Sequence, residues 1–336
     1  MKVKIVDVAR EANVSVATVS RVVNNIPLVN EETRERVLEA IKKTGYKPNA
    51  IARSLKIQKT NTLGIMIPDI TNPFYTEIVR GAEDVCAIYK YNIILSNTDF
   101  KAEKEKKSLD VLVEKQCDGV IYVGKDLSEE MRELLMNASC EVVLGCVSDE
   151  SSKLSGVLID DEAAAYDLTV KAIECGHHKN AVFLDDFEQG YINVTRLKGI
   201  KRAYADKGIP FDDSLVYYAN SSSFGAYRLT ADLMAQNPEF TNILCYNFQM
   251  ALGASRAIEE AGKKVPDDIS VCSFNDFEVA EWVHPKITTI AQQMYDIGAV
   301  ATRMLIKMCE KEESETKTVR LPYDIKVRDS LKGAKS

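Results

Sequence analysis

Over the first sixty residues the apolar positions recur at three- and four-residue steps, and beyond Thr62 they gather into short continuous runs. The first pattern predicts short amphipathic helices and the second predicts buried strands. Val6, Ala9, Arg10 and Asn13 fall on one helical run, with Val8 and Ala12 as its apolar face. Asn13 sits where the chain must turn sharply, and asparagine tolerates a left-handed backbone better than most residues. Ser15 is placed to cap a second helix, Val16 to Asn24, whose apolar face is Val19, Val22 and Val23. A third helix is expected from about Glu31 to Thr44, with Asn30 as its cap, Val37, Leu38 and Ile41 facing inward and Gly45 as its stop. Pro48 and Asn49 can open a fourth short helix, Ala50 to Lys56.

After Thr62 the apolar runs TLGIMIP, NIILSN, GVIYVG, VVLGCV and GVLID alternate with helical stretches such as Tyr75 to Tyr89 and Glu103 to Lys115. A second series follows in NAVFLDD, NILCYN, DISVCSF and ITTI. Continuous apolar strands joined by crossover helices predict parallel sheets covered on both faces. Two such series predict two lobes with a cleft between them. The expected architecture is therefore an N-terminal all-α helix-turn-helix headpiece with a hinge helix, followed by an α/β core of two doubly wound parallel-sheet lobes.

The second helix turns Ser15, Val16, Ala17, Thr18, Ser20 and Arg21 outward, a set suited to a DNA major groove. Small apolar residues can meet thymine methyls, and arginine can grip a guanine through two hydrogen bonds. On the hinge, Asn49, Ala52, Arg53 and Leu55 face a surface with little else to bury, and Leu55 is a candidate wedge between base steps of the minor groove. A helix so short is not stable alone. One headpiece covers half an operator, so two must be held at a fixed spacing, which predicts a homodimer on a pseudo-palindrome with the core as dimer surface.

Charge divides in the same place. Residues 1 to 60 carry 12 Lys and Arg against 6 Asp and Glu, and the remaining 276 carry 31 against 44, so the head is +6 and the body −13. A net acidic chain can still bind DNA when its positive field is local, and such binding falls steeply with salt.

Other chemistry is thin. The eight cysteines stand singly and mostly in apolar runs, which predicts buried free thiols in a reducing compartment. His177 and His178 have no partners at metal-ligand spacing and are expected as an exposed pair in a turn, so no metal is predicted. No apolar run reaches the length of a membrane span, and the start of the sequence lacks a signal-peptide core. Asp160 with Asp161 and Asp185 with Asp186 stand at strand ends, yet neither pair has a nearby nucleophile or base, and no glycine-rich phosphate loop or nucleophile elbow is present. The sequence predicts neither an enzyme nor a bound cofactor.

VDVAREANVSVATVSRVVN followed by GYKPNAIARSL resembles the headpiece and hinge helix of the LacI family of bacterial transcription regulators. The resemblance runs on through IPDITNPFYTEIVRGAED, ALGASRAIEEAGKKVPDDISVCSFND and HPKITTIAQQ. It implies a core like that of periplasmic sugar-binding proteins. The implied division is 1–47 for the headpiece, 48–60 for the hinge, 61–160 with 291–322 for one lobe and 161–290 with 323–336 for the other. It also implies an effector cleft at Arg196, Asn247 and Asn275. Phe248 and Asn275 depart from the family pattern, standing where acidic hydrogen-bond acceptors are usual. YKYNIILSN and YDIGAVATRMLIK resemble the face on which catabolite-control members receive the seryl-phosphorylated phosphocarrier protein HPr. By that resemblance Asp84, Tyr89, Tyr295, Asp296, Arg303 and Lys307 dock the co-repressor, while Asp69 and Asp99 change partners when it binds. The implied protein is a repressor in the bacterial cytoplasm, at the nucleoid when bound to DNA, with a sugar phosphate as a further candidate effector. The alternatives are a local repressor released by a sugar in the cleft and, from another class, a sugar receptor or sugar-metabolising enzyme, which would have no use for the headpiece.

Overall fold

The structure, a computed structural model, describes residues 3–23, 26–46, 59–236, 239–312 and 315–334. Asn49, Ala52, Arg53 and Leu55, the expected hinge contacts, lie outside the described residues. The chain divides into two compact units, residues 1–60 and 61–336.

In the first unit α1 (Ile5–Glu11), α2 (Val16–Val23) and α3 (Glu31–Thr44) close on Val8, Ala9, Ala12, Val19, Val22, Val37 and Ala40. All seven are valine or alanine, so the helices approach closely around a thin core. Asn13 takes the left-handed turn at φ 50° and Gly45 ends α3 at φ 68°. The Ser15 hydroxyl accepts the Thr18 amide at 3.1 Å, and the Asn30 side chain accepts that of Thr33 at 2.9 Å. Leu38, expected inward, is 52 % exposed. It lies one position past Val37, about 100° around the helix, and Val37 with Ala40 already fills the core side.

In the second unit the strands are β1 (Thr62–Ile67), β2 (Asn92–Asn97), β3 (Gly119–Val123), β4 (Glu141–Gly145), β5 (Ser155–Ile159), β6 (Asn180–Asp185), β7 (Val216–Ala219), β8 (Asn242–Cys245), β9 (Ser270–Phe274), β10 (Thr288–Gln292), β11 (Thr318–Leu321) and β12 (Tyr323–Lys326). Among the described residues they form two six-stranded sheets, ordered β11-β5-β4-β3-β1-β2 and β12-β10-β9-β8-β6-β7. Neighbours are parallel except β10 and β12. The crossover helices are α4 (Pro73–Tyr89), α5 (Ala102–Glu114), α6 (Glu129–Met136), α7 (Asp161–Glu174), α8 (Tyr191–Asp206), α9 (Ser223–Ala235), α10 (Phe248–Glu260) and α11 (Met294–Cys309).

The chain passes between the lobes after β5, after β10 and between β11 and β12. β10 runs to Gln292, so residues 291 and 292, expected in the first lobe, belong to the sheet of the second. β7, β11 and β12 were not among the expected strands. All three lie at sheet edges and none is wholly buried; β11 and β12 alternate apolar with polar residues, and β7 is only the short run VYYA. β3, β5, β6 and β9 are buried throughout, as their apolar runs require.

The pair α4 and α11 covers one face of the first sheet and touches backbone to backbone. A Cβ on Gly298 would lie 1.9 Å from the Ile78 carbonyl oxygen, and one on Gly81 would lie 2.0 Å from that of Tyr295. Two glycines, one on each helix, thus set the separation of the helices that carry the expected docking residues.

Candidate DNA interface, docking face and inter-lobe cleft

On α2 the buried Val19 and Val22 leave Val16, Ala17 and Arg21 exposed, with Thr18 and Ser20 half-buried. Ser15 is exposed, but its hydroxyl also meets the Thr18 hydroxyl at 2.9 Å. Ser15 and Thr18 therefore pin the start of the helix, and the side chains extending freely from it are Val16, Ala17 and Arg21. Lys43 of α3 pairs with Glu11 of α1 at 2.6 Å, fixing the frame that carries α2; this contact raises the Lys43 pKa.

The helix pair of the first lobe brings two expected docking residues together. The Tyr295 hydroxyl donates to Asp84 at 3.0 Å, an interaction that raises the Tyr295 pKa. Arg80 also grips Asp84, at 2.7 and 3.1 Å. Asp84 is thus engaged within the fold and orients Tyr295. Tyr89 is exposed at the end of α4; on α11, Asp296 and Arg303 are exposed and Lys307 is half-buried. Steps of seven and four residues keep Asp296, Arg303 and Lys307 on one side of that helix. Asp69 and Asp99 do not meet; the backbone of Ile70, next to Asp69, and the side chain of Asp99 both bond Asn97. Asn97 accepts the Ile70 amide at 2.7 Å and donates to Asp99, while Asp69 holds the Thr71 amide and hydroxyl. The Lys104 hydrogen bond lowers the Asp99 pKa.

The cleft gathers at the C-terminal ends of the strands, the usual ligand position in open α/β sheets. Arg196 is buried and bonded on two of its nitrogens. It donates to Asp161 at 2.7 Å and to the Tyr246 carbonyl at 2.6 Å, and its guanidinium lies 3.5 Å from the Phe274 ring centroid. Burial pushes the Asp161 carboxyl up, against the opposing pull of Arg196. Asn247 caps α10 by accepting the Met250 amide at 2.8 Å, and it donates to the Ser221 carbonyl at 2.8 Å. Phe248, in the place of the usual acid, is buried edge-on against Phe277 with centroids 5.8 Å apart. Asn275, left-handed at φ 68°, accepts a hydrogen bond from Gln292.

The sequence reading missed Gln292, the pairing of Asp161 with Arg196 and the pairing of Lys125 with Asp185 across the lobes. The last had a faint signal, a lysine directly after the apolar run GVIYVG. Of the acidic pairs, Asp160 does cap a helix, accepting the Ala163 amide at 2.9 Å, whereas Asp161 and Asp185 each hold a cation. His177, expected exposed, is buried between the Thr241 hydroxyl at 2.8 Å and the Lys332 carbonyl at 2.7 Å, and burial lowers its pKa. It ties the chain's last strand-free stretch to the second lobe. The cysteines are free thiols, buried or half-buried. Among the described residues no helix is long and apolar enough to cross a membrane, and no cluster of His, Cys, Asp and Glu could hold a metal ion.

Residues 4–49 match the description "Bacterial regulatory proteins, lacI family", and residues 60–329 match "Periplasmic binding proteins and sugar binding domain of LacI family". The chain belongs to the LacI family. This LacI-family protein is 43 % identical to the HTH-type transcriptional regulator RegA of Clostridium saccharobutylicum, over 98 % of this chain and 99 % of the relative. It is 40 % identical to Catabolite control protein A of Priestia megaterium, over 99 % of this chain and 100 % of the relative. Its fold matches the lac repressor dimer bound to operator and the anti-inducer ONPF, with a TM-score of 0.89 at 24 % identity over 99 % of this chain and all of the other. These relatives are regulators rather than enzymes, and the chain is a LacI-family DNA-binding transcription regulator.

Proposed function

We propose that this regulator governs carbon catabolite control, mainly as a repressor, binding a pseudo-palindromic operator as a homodimer with seryl-phosphorylated HPr as its co-repressor. What carries the reading is the helix pair α4 and α11. Tyr295 is held on Asp84, and Arg303 and Lys307 follow on the side of α11 that carries Asp296, where a phosphoserine could dock through charge-assisted hydrogen bonds. The full-length likeness to Catabolite control protein A supports a role in catabolite control. Val16, Ala17 and Arg21 read the major groove, and Leu55 of the hinge wedges the central step. Large apolar side chains exposed on the core, Trp282 at 78 % and Phe224 at 68 %, support a dimer surface. Partner binding shifts the lobes through Asp69, Asn97 and Asp99, brings two hinges together and raises operator affinity.

The test is fluorescence anisotropy of a labelled operator with and without seryl-phosphorylated HPr. The phosphoprotein should tighten binding, and Arg303→Ala should abolish that response while leaving basal DNA binding. Joint loss of both would argue against docking at Arg303. A local repressor answering to a sugar or sugar phosphate is the second reading, favoured by a groove of about 840 Å³ lined by Ser148, Asp160, Tyr191, Lys198 and Arg320. Loosening by one such compound, with no response to the phosphoprotein, would select it.

A further inference from the structure

Between its lobes the protein places a cation of its own. Lys125 follows β3 of the first lobe and its ammonium pairs with Asp185 at the end of β6 in the second. The side chains are only 17 % and 3 % exposed. The ammonium lies 4.5 Å from the Phe100 ring centroid, from the first lobe, and 5.9 Å from that of Phe187, from the second. An aromatic face from each lobe and one carboxylate form a cage suited to a cation, and the cation is the chain's own. Asp185 is held ready for it. Asn193 donates to the Asp185 and Phe187 carbonyls at 2.8 and 2.9 Å, and the Asp185 carboxylate accepts the Phe187 amide at 3.1 Å. Phe100 is delivered by an unusual turn, Asp99 and Phe100 both left-handed at φ 53° and 56°. Such backbone is costly for residues with side chains and persists only where the surroundings enforce it.

We infer that Lys125 is a tethered internal ligand, which latches the two lobes to each other through Asp185. Arg196, buried in the second lobe, is likewise paired within the fold, with Asp161 and the Tyr246 carbonyl. Further inter-lobe bonds lie beside the latch. The Tyr191 amide donates to Asp126 at 3.1 Å, Ser148 meets the Tyr191 hydroxyl at 3.1 Å, and Gln249 donates to Asn72 at 3.3 Å. Because Phe100 adjoins Asp99, the latch also touches the turn of the first lobe whose Asp99 is bonded by Asn97 and Lys104. A change at that turn reaches the second lobe through one ring and one ammonium.

Hydrogen–deuterium exchange of the full chain, read by mass spectrometry, tests the latch. The reporters are the amides of Tyr191, bonded across the lobes, and Phe187, bonded to Asp185. Lys125→Met keeps the stem and removes the charge, and Asp185→Asn keeps an oxygen acceptor for Phe187. Each should speed exchange at both reporters about tenfold while β3 and β6 stay protected, and the double variant should be no faster than the faster single. Lys125→Arg should restore most of the protection. Exchange within twofold of the parent in either single variant, or effects that multiply in the double, would overturn the latch. Loss of protection through both sheets in both singles would overturn it too, because a latch acts locally.

Discussion

Replacing Gly298 by alanine sets two opposed effects against each other on α11. Alanine in a helix interior is favoured over glycine by roughly 0.5–1 kcal/mol, because glycine loses more backbone freedom on folding. At this crossing, however, the new methyl would lie 1.9 Å from the Ile78 carbonyl oxygen, 2.8 Å from its carbon and 3.0 Å from the Ala82 nitrogen. Ordinary contact begins at 3.4 Å, so α4 would have to retreat by about 1.5 Å. The obstacle is backbone, which cannot rotate away as a side chain could. Nor can the helices slide to relieve it, since Gly81 already brings α4 against the Tyr295 carbonyl on the other side. Overpacking of a well-packed interior costs about 1–3 kcal/mol and occasionally more. The clash should therefore win, with a net loss on the order of 2 kcal/mol after the propensity gain. At roughly 2–4 °C per kcal/mol for a unit of this size, the main thermal transition of the full chain should fall by about 4–8 °C. Calorimetry of both proteins reads it directly. The same displacement would separate Tyr295 from Asp84, so if seryl-phosphorylated HPr docks there as proposed, the response to it should weaken below the melting range. An unchanged or raised melting temperature would refute the close-contact reasoning.

Ser15→Ala removes the hydroxyl that caps α2; the headpiece should lose about 1 kcal/mol, seen as a lower midpoint in urea. Arg21→Ala should cost about 1–3 kcal/mol on the cognate operator if the residue reads a guanine, and competition against an operator altered at that base should show the discrimination gone. Equal weakening on every sequence would instead make Arg21 a phosphate contact. For His177, burial holds the folded pKa below the ordinary 6.5, so on acidification the unfolded chain takes the proton first. Its contribution to stability is therefore complete above about pH 6.5 and declines as pH falls toward the folded pKa, by at most about 1.4 kcal/mol per pH unit. Melting curves between about pH 7 and 5 should show this slope flattened in His177→Gln, and an unaltered slope would assign the acid sensitivity to other groups.

The headpiece was legible in the sequence because its determinants are neighbours. Asn13, Ser15, Asn30 and Gly45 each act on backbone within a few residues, through a left-handed turn, a capping oxygen or a helix stop. The apolar steps through Val8, Val19 and Val37 then point those helices at one core. The central strands were equally plain, since a strand buried on both faces must be apolar throughout, and β3 and β6 are. The family motifs carried the class of DNA-binding regulator, and they implied an effector cleft at Arg196, Asn247 and Asn275.

Three of the four edge strands were not legible: β11 and β12 need only part of their surface covered and alternate apolar with polar residues, and β7 is only the four-residue run VYYA. Leu38 and His177 were misjudged because burial depends on which neighbour reaches a position first, which periodicity does not record. The state of the cleft lay furthest from view. Lys125 and Asp185 are 60 positions apart, and Asp161 and Arg196 are 35 apart. Each residue alone reads as a solvated charge or a helix cap. Local hydrogen bonds and apolar spacing are written into consecutive residues, and they determined the elements, the architecture and the DNA-binding class. Which charges meet across a closed cleft is decided only when the two sheets come together, because a distant cation and carboxylate become partners only where the fold removes the water that would otherwise satisfy both.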